Sequence, residues 1–399
     1  MTARDRSVCA PKGFTAAGGA CGIKAQDRDV AVIVSDRPAS AAGVFTTNVV
    51  CGAPVEVSRE RIANGSARAI VVNSGNANAC TGSEGLANAR RMAEYTGECL
   101  GLGGEDVLVA STGIIGRQLP MDTLLEGIAY ATMSRSDLGG DDAALAIMTT
   151  DTKPKKTSRP IAMSTGEVTV GGICKGSGMI APNLATMLAF ITTDATVAPT
   201  LLSIMLRHAV EPTFNSVTID GDTSTSDMVI ILANGAADLP ELAAGTDDAN
   251  LFQSELTSVC DEMARMIADD GEGATTFVSV CATGAASMED ARLAARTVAS
   301  SPLVKTAIFG NDPNWGRIAC AVGYSGAKFA QSDLAIWLGD LQVFDSGMPT
   351  EFDLQRAENI IGEAVVEIRF DLGAGSAEAE MYTCDFSYDY VKINAEYTT

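Results

Sequence analysis

Histidine is almost missing from this chain: His208 is the single one in 399 residues. Multi-histidine metal sites are excluded, and a Ser-His-Asp or Cys-His catalyst would have to be built on that one side chain. His208 ends the stretch Leu201-Leu-Ser-Ile-Met-Leu-Arg-His208, which has helical spacing, and a lone histidine there reads as structural. An enzyme with this sequence needs a different proton acceptor. No Cys-x-x-Cys pair occurs among the ten cysteines. Zinc and iron–sulfur sites usually bring two ligands close in sequence, so the cysteines read as small buried thiols kept reduced. The dipeptide Gly-Lys is absent, which excludes a P-loop. No apolar run reaches the roughly 18 residues that a spanning helix needs. The first residues lead into no apolar signal core, so a cytoplasmic location is expected. Basic residues are scarce too, 28 against 50 acidic ones, for a net charge of −22. Nucleic acid and anionic membranes reward a basic face and are disfavoured as partners. A small anionic substrate, held by a few local cations, is not.

What is present is the composition of a folded globular chain, 46% hydrophobic and 20% charged. The 39 glycines against 13 prolines point to many tight turns. Residues 30–34, 69–72 and 107–110 are apolar, β-branched runs of strand length. Helical spacing follows over 83–101, 121–133 and 141–149. A polar, lysine-bearing stretch at 149–157 precedes strands at 168–174 and 187–191. The second half repeats the alternation, with helices near 199–210, 248–269 and 287–299. Strands are expected near 216–219, 228–233 and 276–281, with more toward the C-terminus. No solenoid period or low-complexity linker divides the chain. The expected fold class is α/β, an α+β layered sandwich.

The loop Asp220-Gly-Asp-Thr-Ser-Thr-Ser-Asp227 is only loosely a calcium loop, because its glycine stands second rather than sixth and no glutamate closes it. It reads as a hydrogen-bonded polar turn. The most unusual region is 175–191, where a lysine, two glycines, a proline and Asn183-Leu-Ala-Thr186 feed into a buried-looking strand. On composition alone Thr186 is a strand-entry threonine.

Lys175-Gly-Ser-Gly-Met-Ile-Ala-Pro-Asn-Leu-Ala-Thr-Met-Leu-Ala-Phe190 resembles the signature of the ornithine acetyltransferase (glutamate N-acetyltransferase) family of arginine biosynthesis. Other stretches agree in order and spacing: Asn73-Ser-Gly-Asn-Ala-Asn-Ala-Cys-Thr-Gly82, Ser111-Thr-Gly-Ile-Ile-Gly116 and Thr149-Thr-Asp-Thr152. So do Asp220-Gly-Asp-Thr-Ser-Thr225, Asp270-Gly-Glu-Gly-Ala-Thr275, Gly310-Asn-Asp-Pro-Asn-Trp-Gly-Arg317 and Asn394-Ala-Glu-Tyr-Thr-Thr399. The resemblance covers essentially the whole chain. Leu184, where many relatives carry methionine, is a volume-conserving departure.

The resemblance implies a chain that cuts itself between Ala185 and Thr186. Fragments 1–185 and 186–399 would stay interlocked in an Ntn-hydrolase-like layered body and pair into an α2β2 heterotetramer. Thr186 would be the nucleophile, Thr112 and Gly113 the oxyanion hole, and Thr149, Lys175, Glu272, Asn394 and Thr399 would join Thr186 in binding substrate. By charge complementarity, Lys175 suits the substrate α-carboxylate and Glu272 the ornithine ammonium. The loops 73–82 and 311–317 are expected to shape the site. The implied reaction moves acetyl from N-acetylornithine to glutamate, with no metal or prosthetic group and with acetyl-CoA as a second candidate donor. An N-terminal threonine carries its own base: an α-amine has a reference pKa of about 7.7–8.0, against about 10.4 for lysine, so no histidine is required. Two rivals remain open: a related self-processing aminopeptidase or amidohydrolase, and an uncleaved relative that only binds amino acids.

Overall fold

The structure, a computed structural model, describes residues 7–181 and 187–396. Ala185, Thr186 and Thr399, all expected in the site, lie outside the described residues, as does Leu184. Eight strands form the first sheet: β1 (Phe14–Gly19), β2 (Val30–Phe45), β3 (Ser66–Asn76), β4 (Val107–Ile114), β5 (Lys155–Met163), β6 (Gly166–Lys175), β7 (Leu188–Thr193) and β8 (Met228–Ala233). Their order is β4-β3-β2-β8-β7-β6-β5, and β1 also pairs with β2. β2 is long enough to serve two partners on one edge. Its first part pairs with β1 and, after a register shift between Val34 and Ala39, its second part pairs with β8. The second sheet holds β9 (Phe277–Ala285), β10 (Ala335–Leu338), β11 (Leu341–Asp345), β12 (Met348–Pro349), β13 (Val365–Asp371) and β14 (Ala377–Cys384), in the order β12-β11-β10-β13-β9-β14. A bridge from Val217 to Tyr382 links the segment before β8 to the second sheet.

β7 and β8 run parallel and are buried along their whole length, which is why they read as unbroken apolar runs rather than alternating ones. Successive side chains still point to opposite faces. Ala189, Ile191, Val229 and Ile231 pack with the helices Pro199–Val210 and Asp247–Asp269. Leu188, Phe190, Ile230 and Leu232 share a core with Ile33, Ile70 and Leu108. On the β3–β4 side a further core joins Val71 and Val109 to the helices Gly82–Leu100 and Met121–Ser134. The expected layered α/β body is what the chain forms.

The strand expected at 216–219 does not form; only the bridge at Val217 remains of it, after a short 3-10 turn at Phe214–Ser216. β5 begins at the end of the polar lysine-bearing stretch, at Lys155, and runs on to Met163. It is an edge strand paired only with β6, so it needs no continuous apolar run. Helices at Pro302–Phe309, Trp315–Gly323, Leu354–Ile361 and Tyr388–Glu396 lie among the C-terminal strands. The buried-thiol reading holds for Cys9, Cys174, Cys260 and Cys384, whereas Cys80, Cys99 and Cys320 are exposed. His208 is exposed on its helix. Among the described residues no helix is long and apolar enough to cross a membrane.

Phe190 is fully buried at the centre of β7. Truncation removes its transfer energy and leaves a cavity, so Phe190→Ala is expected to destabilise the fold by about 3–5 kcal/mol. Denaturant unfolding of the two proteins measures this directly.

Candidate active site

A polar cavity of about 240 Å³ opens where β4 and β6 end, against the C-terminal helix Tyr388–Glu396. Thr112, Gly113, Thr149, Lys175, Glu272 and Asn394 all line it. Every expected site residue within the described part of the chain is therefore brought to one place from segments far apart in sequence.

Thr112 and Gly113 stand at the end of β4, beside Ser74 and Gly75 of the parallel neighbour β3. Gly113 has φ +128°, and a Cβ there would fall 2.4 Å from the Gly75 carbonyl carbon. Only glycine fits, and its backbone is open to close approach by a ligand. The Lys175 ammonium lies 3.4 Å from Thr112 Oγ1. A lysine can only donate, so Thr112 Oγ1 accepts and its own proton stays free to point elsewhere.

Lys175 is buried at the end of β6 above a cluster of charges. Burial lowers its pKa, the Asp151 carboxylate opposes that, and Lys155 adds to it. Asp151 is the hub. Its Oδ2 accepts from the Thr149 N–H at 2.9 Å, and its Oδ1 accepts from the Gly176 N–H and from Lys155 Nζ, both at 2.7 Å. Lys155 Nζ also donates to Asp270, which accepts from the Thr152 backbone and hydroxyl. Lys155, Asp151 and Asp270 are all but inaccessible to solvent. Burial pushes Asp151 up, but Lys175, Lys155 and the donated hydrogen bonds outweigh it and hold the carboxyl down at about 2.

Across the cavity, Glu272 Oε2 accepts from Asn394 Nδ2 at 2.8 Å, and the Glu272 N–H donates to the Ser177 carbonyl at 2.7 Å. A Cβ at Gly178 would lie 2.3 Å from the Glu272 carboxyl carbon, so any larger residue there would displace that carboxylate. Ser387 caps the C-terminal helix, accepting from the Asp389 and Tyr390 N–H groups and donating to the Gly273 carbonyl. The helix that carries Asn394 is thus fastened to the loop that carries Glu272. The 220–227 loop is the polar turn expected: the Asp220 carboxylate accepts from the Met179 and Ile180 N–H groups at 2.6 and 2.9 Å. Burial nevertheless pushes its carboxyl up to about 6.

Of the two loops expected to shape the site, 73–82 does so through Ala77. The 311–317 loop does not line the cavity; Trp315 instead stacks on Phe344 of β11, 5.3 Å between ring centres, in the core of the second sheet. Sequence reasoning does not single out Asp151, Lys155 or Asp270. Asp151 and Asp270 stand inside recognisable motifs, but only the folded chain shows that one lysine joins them.

Hydroxyls, backbone amides, a lysine and carboxylates on a layered α/β frame, with the histidine elsewhere, define an enzyme that works without imidazole chemistry. The ArgJ family profile matches residues 15–399. The arginine biosynthesis bifunctional protein of Symbiobacterium thermophilum is 49% identical over 395 residues, 98% of each chain. That of Chlorobaculum tepidum is 48% identical over 389 residues, 97% of this chain and 96% of its own. A crystal structure of the Bacillus halodurans arginine biosynthesis bifunctional protein is 41% identical, with a TM-score of 0.52 over 53% of this chain and 100% of that one. The chain belongs to the ArgJ family, the arginine-biosynthesis acetyltransferases that its motifs resemble.

Asp151 is held below its ordinary 3.8, at about 2, in the folded state. A depressed carboxylate contributes stability above its unfolded pKa and loses it as pH falls through the folded one. Wild type is therefore expected to lose about 2 kcal/mol more than Asp151→Asn between about pH 5 and pH 2. Unfolding free energies measured across that range check it; a constant difference between the two proteins contradicts it.

Proposed function

We propose that this protein transfers an acetyl group from N-acetylornithine to glutamate through an ester on Thr186, after cutting its own chain between Ala185 and Thr186. The observation that carries this reading is the convergence of Thr112, Gly113, Thr149, Lys175, Glu272 and Asn394 on one cavity. The strand order supports interlocked fragments: β7 and β8, which follow the cut, lie between β2 and β6, which precede it. The Bacillus halodurans chain, matched in full by 53% of this one, has about the length of one fragment, which also supports cleavage.

In the first step Thr186 Oγ attacks the acetyl carbonyl while its proton passes to the Thr186 α-amine. The developing oxyanion takes hydrogen bonds from the Thr112 hydroxyl and the Gly113 N–H. The Lys175 ammonium on Thr112 Oγ1 leaves that hydroxyl proton available and adds positive charge beside the oxyanion. Collapse breaks the C–N bond, and ornithine leaves with the proton. Glutamate's amine then attacks the ester, and the same groups act in reverse. Glu272, oriented by Asn394, suits the ornithine ammonium, and Lys175 suits an α-carboxylate. Thr149 and Thr399 complete the binding groups, no metal or prosthetic group takes part, and the cut protein assembles as α2β2. Acetyl-CoA is the second candidate acetyl donor; the relatives are named bifunctional, which accords with a second activity.

Thr186→Ala is expected to give an uncut 399-residue chain with no transferase activity. A cut and active variant would refute the assignment. Thr112→Ala is expected to cost about 3 kcal/mol of barrier, roughly a hundredfold or more in kcat. Product analysis separates the hydrolase rival: N-acetylglutamate should accumulate in step with ornithine, whereas free acetate in its place would mean that water is the acceptor.

A further inference from the structure

The two amino acids of the proposed reaction differ in charge at the end of the side chain: ornithine carries an ammonium there, and glutamate a carboxylate. The cavity suits the first. Asp220, Asp222 and Glu272 line it, with Lys175 as the cation among the described residues. Asn394 spends both amide protons, on Glu272 Oε2 at 2.8 Å and on the Tyr390 carbonyl at 3.0 Å, so it offers the cavity only an oxygen. A carboxylate laid on that wall would meet like charge and acceptors. Glutamate's second carboxylate therefore needs a cation elsewhere.

A second cavity, of about 360 Å³, meets the first at Thr149, which lines both. Lys24 lines it, half-buried on the loop between β1 and β2. The fully buried Asp29 pins that loop, accepting from the N–H groups of Cys21, Gly22 and Lys24 at 2.7, 3.0 and 2.9 Å. The Lys24 stem packs on Gly75, where a Cβ would fall 2.8 Å from Lys24 Cγ, and Gly75 in turn lies against Gly113. The ammonium donates to the Met148 carbonyl at 3.0 Å. Met148 is bonded to the Thr149 nitrogen, so the ammonium stands at most about 6 Å from that nitrogen. Among the described residues Lys24 Nζ makes no other hydrogen bond and no ion pair, which leaves two of its three protons uncommitted. The charges around it do not fill that place. Asp27 is exposed, and Arg28 is paired with Asp142 at 2.6 Å. Asp151 is engaged by Lys155 and by the Thr149 and Gly176 N–H groups, which also sets the backbones before Lys24's partner loop and after Lys175 side by side. Burial lowers the Lys24 pKa and Lys175 adds to that, while Asp27, Asp29 and Asp151 oppose it. An anion docked on Lys24 would offset the cost of its desolvation. We propose that Lys175 and Lys24 hold the two carboxylates of the glutamate acceptor, Lys175 the one on the α-carbon and Lys24 the one at the end of the side chain. Donor and acceptor then share the reaction centre but send their side chains into different cavities, ornithine's toward Glu272 and glutamate's past Thr149 toward Lys24. This rests on the reading of the reaction as acetyl transfer to glutamate.

Lys24→Met keeps the unbranched stem on Gly75 and removes the ammonium. Initial rates with each substrate varied in turn separate the two half-reactions. The value of kcat/KM for glutamate is expected to fall between about tenfold and about a hundredfold, the usual worth of a charge-assisted hydrogen bond. The value for N-acetylornithine should stay at the wild-type level. Lys24→Gln, which still has an N–H for the Met148 carbonyl, should show the same selective loss. Glutamine offered in place of glutamate removes the charge from the other partner. Wild type should prefer glutamate by a similar factor, and Lys24→Met should hardly distinguish the two. Equal losses in both half-reactions would overturn the proposal and make Lys24 a brace for Thr149 alone. So would an unchanged rate with glutamate, or a variant that keeps the full wild-type preference over glutamine. The underlying reading is tested separately on wild-type protein: if N-acetylornithine and glutamate give no N-acetylglutamate, that reading fails whatever the Lys24 variants do.

Discussion

One buried ammonium holds the site together. Lys155 reaches Asp151 on one side and Asp270 on the other, in surroundings almost closed to water. Such a cluster is expensive to desolvate, and removing one partner strands the others, typically at about 3–5 kcal/mol. Its value lies in what it positions. Asp151 fixes the backbone at Thr149 and Gly176, which frames Lys175, and Asp270 stands two residues before Glu272. The cation on one wall of the cavity and the anion on the other are therefore set by one contact beneath them.

The sheet imposes the second constraint. β7 and β8 are central strands that pair with each other and are flanked by β6 on one side and β2 on the other, both of which precede residue 186. A break before β7 would leave every ladder hydrogen bond in place. A new chain start could then form inside a finished fold, where the surrounding donors are already oriented and need no rearrangement at the moment of reaction. Close backbone contacts keep that fold rigid at the site. Gly113 lies against the Gly75 backbone in a space that admits no side chain, and Gly178 lies directly beneath the Glu272 carboxylate.

Much of this is legible in the sequence. Long apolar runs mark β7 and β8, and helical spacing places 199–210 and 248–269 to within a residue or so. The shortage of histidine points away from imidazole catalysis before any motif is considered. The motif resemblance supplies the residues that meet in the cavity. Three features are hidden for physical reasons. β5 is a polar edge strand and leaves no apolar signature. The 311–317 segment carries a long motif, yet its tryptophan serves the second core, and motif length does not distinguish packing from chemistry. The pairing of Asp151 with Asp270 through Lys155 spans a long separation in the chain, and no local spacing encodes it.

The most direct measurement is to trap the acetyl group in mid-reaction. Wild-type protein mixed with N-acetylornithine in the absence of glutamate, quenched in acid, can be weighed as intact fragments and mapped by peptide sequencing. The expected result is one acetyl group on the fragment 186–399, attached at Thr186 and removed when glutamate is added before the quench. An acetyl group at any other residue, or steady turnover with none on that fragment, would contradict the mechanism.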